Sequence, residues 1–213
     1  VIYIDGQTGE INYNPTILKE DPKVEELDGN TKYTFKTKED LQFSDGEAIT
    51  AKDYVFNILF RARPEHLSEA SYESTGRDLV GYDAYSKGET DVFEGVELID
   101  DYTFALTIDK ENLPYYYERI SVAASPAPTH LWFPDVKLNA DGNGFENTSA
   151  EVAEAETTVQ SLRSNPKVST GPYVLDSFQN KIAVFKINEH YAGDETGKKP
   201  EIGTVIVKDV ADE

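Results

Sequence analysis

Thr31-Lys32-Tyr33-Thr34-Phe35-Lys36-Thr37-Lys38, followed by Phe43-Ser44-Asp45-Gly46-Glu47-Ala48-Ile49-Thr50-Ala51-Lys52-Asp53-Tyr54-Val55-Phe56, decides how this chain folds. In the first run Tyr33, Phe35 and Thr37 alternate with Lys32, Thr34, Lys36 and Lys38, which predicts a half-buried strand. Ser44-Asp45-Gly46 reads as a turn. Thr50 stands where a helix N-cap belongs, and Asp53 behind it suits the positive end of the helix dipole. Tyr54, Val55, Ile58, Leu59 and Ala62 then recur at helical spacing. They predict one apolar stripe against a core, with Lys52, Asp53 and Asn57 off it.

Outward from there, Asp100-Asp101 turns into Tyr102–Ile108, whose alternation is the cleanest in the chain. Tyr173–Phe178 and Ile182–Ile187 read as two strands with Gln179-Asn180 as their hairpin, and Ile202–Val207 as a last strand. Thr148-Ser149-Ala150-Glu151 is a capping-box pattern. Val152, Ala155, Val159 and Leu162 behind it predict an amphipathic helix ending near Asn165-Pro166. Leu113-Pro114 is expected to open a short helix through Tyr115, Tyr116, Tyr117 and Ile120. Residues 63–95 are expected to be loop with short helical pieces, 126–134 extended, and 135–147 a polar loop. Strands and helices interleave without a βαβ rhythm, so the expected class is α+β, a mixed sheet with flanking helices.

Composition narrows the chemistry. Lys+Arg 20 against Asp+Glu 40 over 213 residues gives −20 at pH 7, which repels nucleic acid and anionic membrane alike. No apolar run is long enough for a membrane-spanning helix. Cys 0 removes disulfides, thiol catalysis and cysteine-built metal sites. Val1 as first residue and Met 0 lead us to expect a processed or excised segment. His66, His130 and His190 are far apart and read as surface or capping residues. Asn139, Asp141, Asn143 and Gly144 follow the start of a calcium loop, but position 12 is Ala150 where a bidentate Glu is required. A nucleophile-elbow serine and a phosphate loop are both missing.

The aromatics are more telling, with Tyr 13 and Phe 10 against Trp 1. Tyr115, Tyr116 and Tyr117 cannot all face one core, so at least one ring should be partly exposed. Tyr72, Tyr82 and Tyr85 sit in polar surroundings and suit ligand contact, or else lid the edge of a core.

The opening stretch resembles the signature of the family 5 extracellular solute-binding proteins, and four further blocks follow in the family's order. These are Glu97-Leu98-Ile99-Asp100-Asp101-Tyr102-Thr103-Phe104, Pro114-Tyr115-Tyr116-Tyr117 with Ser125-Pro126-Ala127-Pro128, Thr170-Gly171-Pro172-Tyr173-Val174-Leu175, and Asn188-Glu189-His190-Tyr191. Lys36-Thr37-Lys38, Ser169 and His190 depart from the family's pattern. The resemblance implies the substrate-binding component of a peptide ABC importer, needing no cofactor, with oligopeptides as ligand and permease subunits as partners. It implies a bilobal, periplasmic-binding-protein-like fold, located in the periplasm or anchored at the cell surface as a lipoprotein. Residues 1–168 would be its additional domain and 169–213 a fragment of the first lobe, with the opposing lobe missing and peptide binding correspondingly weak. By the same resemblance Ser121 and Val122 align with a cleft-lining stretch, and Tyr72 falls near a segment that supplies a ligand-facing tyrosine. Two rivals stand beside it: a surface adhesion module, and a hydrolase using two carboxylates. A peptide and glycan turnover assay separates the hydrolase, and a macromolecular pull-down the adhesion module.

Overall fold

The structure is a computed structural model that describes residues 1–67, 76–162 and 165–209. A hairpin of β1 (Ile2–Ile4) and β2 (Ile11–Tyr13) leads into a sheet built from β3 (Lys23–Leu27), β4 (Asn30–Lys36), β5 (Val96–Asp100) and β6 (Thr103–Ile108). Its order is β3-β4-β6-β5, antiparallel throughout. Tyr33 pairs with Leu106 and Phe35 with Phe104, which puts the predicted apolar face of each strand on the same side. Helix α1 (Ala51–Ala62) covers that face. Phe104 stacks on Phe35 and on Tyr54, with centroids 5.2 Å apart in both pairs. Such ring pairs add about 0.5–1.5 kcal/mol to simple burial.

The single stripe expected of α1 is too narrow, because Asp53 and Asn57 are buried as well. The proline-punctuated segment after residue 122 closes over the helix's outer side. The Ala127 N–H donates to the Asp53 carbonyl (3.1 Å) and the Asn57 amide to the Ser125 carbonyl (2.9 Å). Phe56 and Phe60 then meet Phe133, Phe145 and Trp132 in a second aromatic layer. Phe56 and Phe60, one helical turn apart, were the signal for it.

Among the described residues, 63–95 hold α2 (Pro64–Leu67) and α3 (Tyr82–Ser86), as expected. The Leu113–Pro114 peptide is cis, and the helix expected there is a turn over Tyr115–Tyr117 followed by α4 (Glu118–Ser121). One further turn, α5 (Thr129–Trp132), interrupts the extended stretch. Helix α6 (Ser149–Leu162) begins at the predicted cap. The Thr148 N–H and hydroxyl both donate to Glu151 (2.7 and 2.9 Å), and the Glu151 N–H returns to Thr148 Oγ1 (3.3 Å). His66 is no surface residue: it is buried on α2, with Nδ1 2.7 Å from Glu156 of α6.

The polar loop 135–147 seals the edge of the sheet at β5, where the Leu98 N–H reaches the Asp141 carbonyl (3.2 Å). Just before that strand, the Phe93 N–H reaches the Asn143 carbonyl (2.7 Å). A Cβ on Gly144 would lie 2.1 Å from the Asp91 carbonyl oxygen, so only glycine allows this approach. The Asn139 and Asn143 side chains bond within the loop (2.8 and 3.0 Å). Beyond it, β7 (Tyr173–Gln179), β8 (Ile182–Ile187) and β9 (Thr204–Lys208) form a separate antiparallel sheet. Its hairpin turns at Asn180-Lys181, one residue later than expected, with φ of 51° and 61°.

Candidate functional site

After Pro114, Tyr115, Tyr116 and Tyr117 stand at the surface, 49%, 89% and 46% exposed. They form one wall of a cleft of about 710 Å³, continued by Glu118 and Arg119 of α4. The turn and strand from Thr8 to Asn12 form the facing wall. Arg119 pins the two walls together: Nη1 donates to the Ile11 carbonyl (2.7 Å), and the guanidinium lies over the Tyr13 ring at 4.8 Å. Glu118 accepts a 2.5 Å bond from the Tyr33 hydroxyl. Burial, reinforced by that carboxylate, pushes the Tyr33 phenol well above its ordinary pKa. Burial also raises Tyr13, with Arg119 opposing it. Both phenols therefore stay neutral at physiological pH. The cleft offers π faces, hydroxyls and carboxylates.

Of the residues singled out by the family resemblance, Ser121 and Val122 do not line this cleft. Ser121 ends α4 but spends its hydroxyl on Asp78 Oδ2 (2.6 Å). The Val122 side chain is fully buried, so only its backbone could meet a ligand. Tyr72 lies outside the described residues. Tyr85 is a core residue, stacked on Phe93 at 5.0 Å with its hydroxyl on the Leu59 carbonyl (3.3 Å), and Tyr82 packs on the same ring. The exposed trio at 115–117 was legible only as a crowding argument.

A second feature is the signature turn itself. The Ser44 N–H donates to the Ser169 carbonyl (2.9 Å), and the Ser169 N–H returns to Ser44 Oγ (3.0 Å). His190 holds Gln42 (2.9 Å) and His130 holds Asp45 (2.9 Å). The turn therefore joins the first sheet to the segment that enters β7, which accounts structurally for its sequence. Two of the departures from the family's pattern, Ser169 and His190, both fall on this junction.

The overall arrangement is similar to that of Listeria monocytogenes OppA bound to peptide, with a TM-score of 0.66 at 22% identity, over 98% of this chain and 36% of that one. In sequence, the periplasmic oligopeptide-binding protein OppA of Escherichia coli K12 is 33% identical over 99 residues, 45% of this chain and 18% of that protein. The oligopeptide-binding protein OppA of Lactococcus lactis subsp. cremoris SK11 is 27% identical over 188 residues, 84% of this chain and 27% of that protein. The chain thus spans 18–36% of the lengths of these three proteins. The strand, turn and capped helix read first in the sequence fall inside a match over residues 13–213 to the family model for the middle part of the bacterial extracellular solute-binding proteins, family 5, and the chain belongs to that family.

Proposed function

We propose that this chain is part of the substrate-binding component of an ABC importer for oligopeptides, which captures extracellular peptides and hands them to permease subunits. The family match over residues 13–213 carries the reading, since it covers nearly the whole chain. Relatives named for oligopeptide binding and a fold shared with a peptide-bound protein support it. Peptide backbone and side chains are recognised by hydrogen-bonding edges and roomy amphipathic pockets, the kind of surface the tyrosine cleft presents. Ser121, Val122 through its backbone, and Tyr72 remain proposed ligand contacts. The reading has no turnover step and places the protein in the periplasm or, lipid-anchored, at the cell surface.

We take residues 1–168 as the additional domain and 169–213 as part of the first lobe. In support, every buried hydrophobic side chain among the described residues lies between Val1 and Val159. Affinity in a two-lobed binder comes from closure over the ligand, so one wall captures poorly. Titration calorimetry with a mixed peptide pool should give a Kd on the order of 1 mM or weaker for this chain, about −4 kcal/mol. A full-length oligopeptide-binding relative run in parallel should bind orders of magnitude more tightly. Micromolar binding by the chain would refute the single-wall argument, and turnover of peptide would overturn the binding-protein reading.

A further inference from the structure

Ser121 closes α4 at a half-buried position, and its hydroxyl bond to Asp78 is 2.6 Å long, the length of a hydroxyl donating to a carboxylate. A carboxylate only accepts, so the single hydroxyl proton of Ser121 points at Asp78. What the oxygen has left to offer is its lone pairs. Asp78 is itself held fast. Its carbonyl takes the Asp109 N–H (2.9 Å) and the Asn112 amide (3.3 Å), and the Arg77 guanidinium stands 3.8 Å from its other carboxylate oxygen. The next residue, Leu79, bridges to Ile108 at the end of β6. We propose that the Asp78 carboxylate fixes Ser121 as a hydrogen-bond acceptor, so that this position selects a ligand N–H over a carbonyl or carboxylate oxygen. The proposal rests on the peptide reading, with Ser121 as a contact. Within it, the ligand group at Ser121 is named and Asp78 is added as the positioning residue behind it.

A ligand oxygen set against Ser121 would meet lone pairs with no proton between them, close to the Asp78 charge. Exchanging the matching peptide N–H for an ester oxygen replaces a bond with a repulsion, and should weaken binding about tenfold. Asp78→Asn tests the orientation at nearly the same shape. Its amide can donate as well as accept, so the tether to Ser121 survives while the hydroxyl proton is free to turn to the ligand.

The experiment titrates the isotope-labelled chain with trialanine and its two single-ester analogues, following the backbone NMR signals of Ser121 and Val122. One ester should bind about tenfold more weakly than trialanine. That penalty should shrink in Asp78→Asn and vanish in Ser121→Ala. In the free protein the Ser121 hydroxyl proton should exchange slowly enough to give its own resonance, lost in Asp78→Ala. A merely structural role for Asp78 predicts instead that Asp78→Asn weakens all three ligands by one factor and leaves the ester penalty whole, which would overturn the proposal. Equal binding of trialanine and both esters by the unaltered chain overturns it too, while peptide binding stands. Binding of none of the three overturns the peptide reading and this selection with it.

Discussion

The buried carboxylate of Asp53 accepts from both the backbone N–H (2.8 Å) and the hydroxyl (3.1 Å) of the half-buried Thr50. At this helix start the acidic partner therefore matters more than the residue in the cap position. Thr50→Ala keeps the backbone bond and should cost on the order of 1 kcal/mol. Asp53→Ala removes both bonds at once and leaves the half-buried Thr50 N–H unpaired, and should cost more, about 1–3 kcal/mol. Urea denaturation of the two variants checks the order; an equal loss would show that the hydroxyl alone carries the cap. Thr50, Asp53, Thr148 and Glu151 could be read from sequence because each cap spans a single helical turn. Ser121–Asp78 and Tyr33–Glu118 could not, because their partners meet only after the sheet has formed.

Helix α6 is tied to α2 by His66 and Glu156, both shut away from water and 2.7 Å apart, with the Phe60 ring 5.7 Å from the imidazole. Nε2 of His66 has no hydrogen-bond partner among the described residues, so Nδ1 carries the imidazole's buried bond. His66→Ala or Glu156→Ala should each cost about 1–3 kcal/mol by leaving a buried polar group unpaired. The double replacement His66→Phe/Glu156→Leu should recover only part of that loss, since the imidazole and its acceptor leave together but the Gln160 amide (3.3 Å) loses the carboxylate it donates to. Thermal melts of the three variants decide it, and a double variant as unstable as the sum of the singles would mean the two residues act independently. The sequence revealed α6 through its cap and period, yet placed all three histidines at the surface or in caps. Periodicity reports which face is apolar; it says nothing of a polar pair enclosed between two helices. The same limit explains α1, where one stripe was visible and the second aromatic layer depended on chain supplied some seventy residues later.

Across the whole molecule the charge of −20 works against compactness, while particular carboxylates depend on being ionised. Burial pushes the Asp45 carboxyl up, but the bond from His130 and the Glu47 N–H outweigh it and hold it below the ordinary range. The Tyr102 N–H, first among several donors, does the same for Asp100. A carboxyl depressed in the fold contributes stability above its unfolded pKa of about 4, and that contribution is lost as pH falls through the folded value. Easing repulsion should raise the melting temperature as pH falls from 7.5 to 5.5. Burial, however, pushes the Val1 amino group down to about 5, and proton uptake by its unfolded form destabilises the fold over the same range. No net rise is expected, and a fall follows below about pH 4. Added salt at pH 7.5 should raise the melting temperature through screening; a melting temperature that drops with salt would show that attractive pairs dominate. The family-level fold was legible because its marks are local turns, caps and strands. The tyrosine cleft was legible only in part, because its far wall comes from a hairpin a hundred residues away in sequence. The two-sided burial of α1 also bears on synthesis. Phe56 and Phe60 leave the ribosome long before Phe133 and Phe145 exist, an interval on the order of ten seconds at ordinary elongation rates. Through that interval the nascent chain displays a helix with an uncovered aromatic flank, a ready handle for the chaperones that keep newly made chains open.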